Sequence, residues 1–482
     1  MRIRLLASLI LVGVAAGCSS VGPDYKRVTP LVPQQFGSLE KGISTADPLP
    51  TEQLIAWWKI FNDRTLNSLI DRAVKGNLDI RIAEARVRQS RALSLVSESR
   101  QYVEGEFAGG YKRQSQTESG SLRQSSEGLD SSAAALGKRE TDLYLVGFDA
   151  SWEIDIFGGV RREIEASQAD LEASEENLRN ALVTLQGEVA RNYIELRGQQ
   201  LRMDIARREV ESRKDNLLLI EARVRAGFVS ELDLARGRGA LASAESRIPQ
   251  LENGLRGSLY RLSVLLGKEP MSLVAELEDQ KQIPSVPDNL PAGLPSELLQ
   301  RRPDIRRAER ELAASTARIG VSTAELFPKF SLTGSFGYQN TKIDELFQEG
   351  SNFWRIGPSL RWSILNFRRI TANIEVNKSA REEALARYER SVLNALEEVE
   401  NALVVLAQEK RRTEALSSAA EANTLAYHFA MERYRVGIQS YFEVLDSETA
   451  LFIANDQIAQ SHQNRALALI SLYKALGGGW TE

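Results

Sequence analysis

The chain has 482 residues, of which 43% are hydrophobic and 26% charged, so it has enough apolar material for a large core and is not disordered over most of its length. Its formal net charge of −4 gives no general attraction to nucleic acid, and no nucleic-acid partner is expected. One cysteine and two histidines exclude an intrachain disulfide and a Cys/His zinc cluster and leave few candidates for a catalytic nucleophile and base, so we expect no enzyme, no cofactor and no bound metal.

Residues 1–17 have the pattern of a secretory signal peptide. Two arginines precede an apolar run from Leu5 to Ala16, which is too short to span a bilayer as a helix. The only cysteine, Cys18, follows Ala15-Ala16-Gly17, which resembles the bacterial lipobox, although Ala15 stands where that motif usually has leucine. We expect Cys18 to be lipidated, and Ser19 after it implies sorting to the outer membrane. The alternative is an ordinary signal peptide with a chance cysteine.

A tandem duplication organises most of the remaining chain. Trp152 recurs as Trp362, an offset of 210 residues, and the same offset carries Gly227 onto Gly437 without a gap. Upstream, the segment that starts at Asp79 recurs at an offset of 225. The difference of 15 residues predicts an insertion in the first copy, within the serine- and glycine-rich stretch between about 109 and 152.

Each copy is predicted to contain a helix, two strands, a very long helix, a glycine turn and another helix. The predicted boundaries are a signal peptide at 1–17, a lipidated extended segment at 18–65, a first repeat at 66–267, a proline-rich linker at 268–297, a second repeat at 298–477 and a tail at 478–482. The strands are expected at about 102–112, 142–156, 328–340 and 353–365, and the long helices at about 158–266 and 368–476.

The long helices are predicted from composition and spacing. No proline occurs between Thr51 and Ile248, and Ala, Glu, Arg and Leu dominate. A single helix from Val160 to Arg225 would be on the order of 100 Å long. Periodicity alone is equally consistent with an ordinary coiled coil. Pro249 is expected to kink or break the next helix.

The predicted strands alternate between apolar and polar residues. This period of two, with aromatic residues near the segment ends, is typical of outer-membrane barrel strands, and the alternative is a soluble β-sandwich. Four strands are too few to close a barrel, so several copies would have to share one sheet. The aromatic residues predicted to face the membrane are Tyr144, Phe148, Trp152, Phe336, Tyr338, Trp354 and Trp362.

Four motifs together resemble the TolC family of outer-membrane efflux proteins, specifically its NodT-type lipoproteins. They are WWKIF from Trp57, RRPDIRRAE from Arg301, YRVGIQSYFEVLD from Tyr434 and the ending YKALGGGW. The resemblance implies a mainly α fold with a small β part: duplicated helix-strand-strand-helix-helix repeats, long coiled-coil-like helices in a trimeric α-barrel, and four strands per chain in a shared transmembrane β-barrel.

The resemblance also implies a function and partners. The expected protein is a homotrimeric exit channel that passively conducts drugs or other small molecules out of a Gram-negative cell. Its partners would be outer-membrane lipid, a periplasmic adaptor protein and an inner-membrane transporter of the resistance-nodulation-division (RND) type. The alternative function is that of a non-conducting, lipid-anchored periplasmic coiled-coil protein. Four methionines and two histidines are a poor supply of soft ligands, which disfavours copper or silver as cargo.

The same resemblance assigns candidate residues near the two glycine turns. The adaptor would contact Gly227, Phe228, Ser230, Gly437, Ile438 and Ser440. The alternative is a plain helical hairpin, because every such hairpin needs a turn. Glu443 and Asp446, three residues apart, share a helix face and would line a closed periplasmic aperture; the alternative is a solvated acidic face. Tyr434 and Arg435 would help to hold the tips closed, in a family where some members carry a basic residue in place of Gln439.

Overall fold

The computed structural model describes residues 20–37, 43–44, 54–115, 140–287, 290–291 and 295–481. The predicted signal peptide, Cys18 and residues 116–139 of the predicted insertion lie outside the described residues. The helices are α1 (Arg64–Gly76), α2 (Leu78–Ser99), α3 (Gly159–Arg225), α4 (Glu231–Leu265), α5 (Val274–Leu277), α6 (Pro295–Arg301), α7 (Pro303–Ala324), α8 (Phe367–Arg435) and α9 (Tyr441–Ala475). The main strands are β1 (Glu104–Ser115), β2 (Glu140–Ile154), β3 (Lys329–Asn340) and β4 (Asn352–Arg361).

Shorter elements complete the description. Two-residue strands, Ile43–Ser44 and Leu290–Pro291, pair in parallel. Within the described ranges, 3₁₀ helices span Trp57–Phe61, Ile343–Glu345 and Ile364–Asn366. None of the described helices has an apolar stretch long enough to cross a bilayer.

The chain forms two compact units. The first contains the described parts of Met1–Arg27, Gln89–Leu171 and Arg310–Leu385, and the second contains the rest. The first unit therefore holds all four main strands, whereas the second holds the far ends of α3 and α8 together with α4 and α9.

The sheet of the first unit is antiparallel, in the order β1-β2-β3-β4. One row of paired residues crosses all four strands through Phe107, Phe148, Phe336 and Trp354, and the Phe107 and Phe148 ring centroids lie 4.9 Å apart. Because alternate residues of a strand point to the same side, this row defines an apolar face. It includes every predicted membrane-facing aromatic residue within the strands, while polar side chains such as Asp149 occupy the opposite face.

Buried caps and aromatic residues hold the second unit together. Asp63 caps α1 by accepting hydrogen bonds from the backbone N–H groups of Thr65 and Leu66, at 2.8 and 3.1 Å. The buried Tyr193 of α3 donates its hydroxyl to the same carboxylate at 2.6 Å, which joins the start of α1 to α3. Burial raises the pKa of Tyr193 to about 12, so its hydroxyl remains a donor at neutral pH.

Equivalent hydrogen bonds recur in the two copies at the predicted offsets. The Trp152 indole N–H donates to the carbonyl of Gln101, and the Trp362 indole N–H donates to the carbonyl of Leu326, each at 3.0 Å. Trp362 lies 210 residues after Trp152, and Leu326 lies 225 residues after Gln101. The duplication is therefore visible in single contacts, and the predicted fold class is confirmed.

Two local expectations need correction. Of the kink or break expected at Pro249, the break is wrong, because helix α4 is continuous through this residue. Proline removes one backbone donor from this 35-residue helix, but the neighbouring Ile248 packs against the buried cluster of Met203, Ala206 and Leu251, so packing outweighs the local loss. Strand β4 ends at Arg361 rather than at about 365, and Trp362 follows it with its indole bonded to the Leu326 carbonyl.

Candidate gate at the helical tips

Both long helices end in the same backbone turn. In the first copy, the N–H groups of Phe228 and Gly227 bond to the carbonyls of Arg223 and Val224, each at 2.9 Å. The second copy repeats the pattern at Ile438 and Gly437, again at 2.9 Å. These are Schellman motifs, which need a residue with positive φ after the helix. Gly227 and Gly437 supply it, with φ of 77° and 78°.

We expect Gly227→Ala and Gly437→Ala each to loosen its tip by about 1 kcal/mol, because an L residue is strained at positive φ. A Cβ would meet no atom within 4 Å at either position, so strain is the only penalty. Amide hydrogen exchange at Phe228 and Ile438 should accelerate about fivefold. The control is Gly239→Ala, within helix α4 and also in open space, where alanine should strengthen the helix. Unchanged exchange at the tips would contradict the strain argument.

Apolar side chains are exposed around both turns. Phe228 is 79% exposed and Ile438 75%, and Leu232, Val436 and Phe442 are also exposed. Ser230 and Ser440 directly precede α4 and α9, in extended conformation and without a side-chain cap bond. All six residues predicted to contact the adaptor therefore lie in or beside the two turns, where a partner could reach them.

An arginine that sequence analysis did not single out as a site residue connects the two tips. The Arg223 guanidinium donates to the backbone carbonyls of Tyr434 and Arg435, each at 2.6 Å, and lies 4.6 Å from the Tyr434 ring centroid. These carbonyls belong to the last turn of α8, where the helix dipole favours a cation. The Tyr434 carbonyl also accepts the Gly437 N–H of the turn at 2.9 Å. Arg223 therefore clamps the end of α8 onto α3.

The predicted latch residues have different environments. Tyr434 is 2% exposed and packs with Ile220, Leu234 and Val444 in a core shared by α3, α4, α8 and α9. Burial raises the pKa of Tyr434, so its phenol is neutral at physiological pH. The side chain of Arg435, by contrast, is exposed, and its contribution to the clamp is a backbone carbonyl.

The predicted acidic pair lies on the first turns of α9. Glu443 and Asp446 are both exposed, while Val444 between them is fully buried in the tip core. Neither carboxylate has an ion pair among the described residues of this chain. The exposed face of α9 next to the clamped tip therefore carries two free negative charges.

One turn further along α9, a third carboxylate is buried. Glu448 accepts hydrogen bonds from the Ser212 hydroxyl at 2.6 Å and the Asn216 amide at 2.9 Å, both on α3. Burial raises the pKa of Glu448, and so does the charge of Glu209, whereas Ser212, Arg213 and the Tyr427 hydroxyl lower it. Glu209 is itself held by Arg213 at 2.8 Å and Arg247 at 2.9 Å. The hydrogen bonds of Glu448 to Ser212 and Asn216 join α9 to α3 close to the exposed pair in sequence.

We expect Glu448→Gln to weaken the dependence of stability on pH. A raised folded-state pKa means that stability is fully present below the unfolded pKa, near 4.5, and is lost as pH rises through the folded value. The difference in melting temperature, wild type minus Glu448→Gln, should therefore be larger at pH 5 than at pH 7. Glu432→Gln, at an exposed position, is the control. A wild-type-to-variant difference that is equal at both pH values would exclude this linkage.

Comparisons with known proteins agree with this architecture. The family model of the outer membrane efflux proteins matches residues 69–268 and 294–478. The chain belongs to the outer membrane efflux protein family. This efflux protein is 30% identical over 486 residues to the toluene efflux pump outer membrane protein TtgI of Pseudomonas putida, with 98% of this chain and 97% of TtgI covered. It is 30% identical over 468 residues to the cation efflux system protein CusC of Escherichia coli O6:H1, with 97% of this chain and 96% of CusC covered.

The solved structure of the outer-membrane channel OprN is similar to this efflux protein over 96% of the present chain and 100% of its own, with 34% identity and a TM-score of 0.87. Family membership confirms that the chain is an outer-membrane efflux channel component and not an enzyme. It also decides against the non-conducting coiled-coil alternative. No group of three or more potential metal ligands (His, Cys, Asp or Glu) occurs among the residues that the structure describes.

Proposed function

We propose that three copies of this chain form one passive, gated exit duct, which a periplasmic adaptor joins to an inner-membrane transporter of the RND type. The four-stranded sheet of the described residues requires further copies to close a barrel, because single-chain barrels start at about eight strands. The apolar face through Phe148 and Trp354 would then meet outer-membrane lipid. A lipid on Cys18 would provide a second anchor.

The proposed gate is a ring of acidic residues. Three chains around one axis would bring six carboxylates, from Glu443 and Asp446, to the same constriction, where charge selects ions and narrows the pore. The observation that carries this proposal is the position of the pair: both side chains are exposed, at the start of a helix whose opposite side is fixed by the tip core and by Glu448. Arg223, Tyr434 and Arg435 would hold the closed tip.

The proposed adaptor contact uses the exposed apolar residues of the tips. We expect Phe228→Asp combined with Ile438→Asp to abolish efflux in cells, because burying two added carboxylates at an interface is strongly unfavourable. The trimer should still migrate as a heat-sensitive species in detergent, which separates loss of docking from loss of assembly. Normal efflux by this variant would exclude the tips as the docking surface.

We assign the choice of cargo to the inner-membrane transporter. TtgI and CusC are equally similar to this chain, yet their names refer to toluene and to cations, which are chemically unlike. The same outer-membrane architecture therefore suits different cargoes, and the few soft ligands of this chain give it no specific preference for copper or silver.

A susceptibility panel on a deletion strain tests the function as a whole. Hydrophobic antibiotics, dyes, detergents and copper or silver salts are compared side by side. We expect hypersensitivity to the organic compounds that is restored by the wild-type gene but not by a Gly437→Pro variant, whose turn cannot form at positive φ. Full restoration by that variant would show that export does not depend on the tip.

A further inference from the structure

Two strands of the first unit lack a partner on one side. In the described sheet, β1 and β4 are the outer strands, so each presents a row of unpaired backbone groups. The proposed trimer requires these edges to meet, but it leaves open which residues face each other. The duplication supplies the missing register.

The two hairpins obey the repeat offsets residue by residue. Strand β1 (Glu104–Ser115) maps onto β3 (Lys329–Asn340) at an offset of 225, from first residue to last. Within the first hairpin Phe107 lies opposite Phe148. The equivalent of Phe107 at an offset of 225 is Leu332, and the equivalent of Phe148 at an offset of 210 is Pro358. These two residues are paired in the second hairpin. Equivalent positions therefore make equivalent contacts.

The junction between the two hairpins can be carried over in the same way. It joins the second strand of copy one to the first strand of copy two, with Ser151 opposite Thr333. The equivalent edges between two chains are β4, as a second strand, and β1, as a first strand. The position equivalent to Ser151 is Arg361, and the position equivalent to Thr333 is Ala108.

We propose that β4 of one copy pairs antiparallel with β1 of a second copy in the register that places Arg361 opposite Ala108. This inference deepens the proposed function and rests on its trimer. In this register Leu360 lies opposite Gly109, so the apolar face of β4 is continuous with the face of β1 that carries Phe107. A slip by one residue would turn one apolar face toward the polar side.

Exposed aromatic rings next to the edges agree with this register. Within the chain, Phe157 after β2 stacks on Phe327 before β3, with ring centroids 4.5 Å apart. Their equivalents are Phe367 after β4 and Tyr102 before β1. These two side chains are 63% and 70% exposed in the single chain. The proposed pairing brings Phe367 of one copy onto Tyr102 of the next, as in the stacked pair within the chain.

Cysteine cross-linking in the full-length protein tests the register. Directly opposed residues have Cβ atoms about 4.5–5.5 Å apart, close to the reach of a disulfide, whereas diagonal neighbours are about 7–8 Å apart. After oxidation and boiling, Ala108→Cys with Arg361→Cys should give covalent dimers and trimers. The matched control, Ser151→Cys with Thr333→Cys, occupies the equivalent position within the chain and should cross-link without an increase in mass. The wild type, whose only cysteine is Cys18, should run as a monomer after the same oxidation and boiling.

A register-shifted pair provides the decisive comparison. Ala108→Cys with Ser359→Cys should cross-link at least several-fold less than the pair with Arg361→Cys. Stronger linkage of the shifted pair, or no linkage of the predicted pair in a protein that still runs as a heat-sensitive trimer, would overturn the register and leave the proposed function intact. Absence of any trimer would overturn both.

Discussion

Glu443→Gln combined with Asp446→Asn should reduce the preference of the channel for cations by at least about fivefold in planar bilayers. The two carboxylates are exposed and would be repeated in three chains around the pore axis. A unit charge interacts with a passing ion at 4 Å by about 1 kcal/mol in water, which corresponds to a factor of about five in relative permeability. Conductance should change at the same time, because removing the ring alters the local concentration of ions.

The measurement is the reversal potential across a salt gradient, recorded at low ionic strength where charges are least screened. Glu432→Gln is the matched control, because it removes an exposed carboxylate from the last turns of α8 without touching the predicted ring. An unchanged reversal potential and conductance in the double variant would show that Glu443 and Asp446 are a solvated face and not a gate.

The second large effect is expected for Arg223→Ala, which should raise the open probability of the channel about 30-fold. The variant removes two charge-assisted hydrogen bonds to the end of α8 and the contact with the Tyr434 ring. Because Arg223 is only partly buried, we assign about 2 kcal/mol to the whole clamp, which is less than the roughly 3 kcal/mol at the lower end of the range for two charged hydrogen bonds. This energy corresponds to a factor of about 30 in a two-state equilibrium.

Two further variants isolate the clamp. Arg225→Ala removes an exposed arginine from the same helix end and should leave gating unchanged. Arg223→Lys keeps the charge but loses the rigid fork that reaches both carbonyls, so an intermediate open probability is expected. If Arg223→Ala and Arg225→Ala behave alike, the contact seen between the tips does not restrain opening.

Much of the fold followed from patterns that local physics enforces. Alternation along the strands identified the apolar face through Phe148 and Phe336, because side chains of a strand must alternate between faces. The two glycines located the turns, because only glycine adopts positive φ without strain. The break that was one of the outcomes expected at Pro249 does not occur for a related reason: the local preference was weighed without the tertiary packing of Ile248 that opposes it.

The residues that sequence analysis did not assign to the gate are those whose role depends on contact between distant helices. Arg223 has an identical counterpart at Arg433 in the second copy, and that residue is exposed, so nothing in the local sequence distinguishes the clamp. Glu448 looks like one more acidic residue on a charged helix, and its counterpart is Arg238. Only the packing of α9 against Ser212 and Asn216 shows that it is buried and bonded.

If the tips dock the adaptor as proposed, the Schellman turns at Gly227 and Gly437 separate partner recognition from folding. Their geometry depends on backbone hydrogen bonds and on one glycine each, and the neighbouring Phe228 and Ile438 side chains take no part in it. Those side chains can therefore be exchanged without rebuilding the hairpin. On the proposed function, grafting the exposed tip residues of a relative onto this chain should therefore transfer that relative's choice of adaptor.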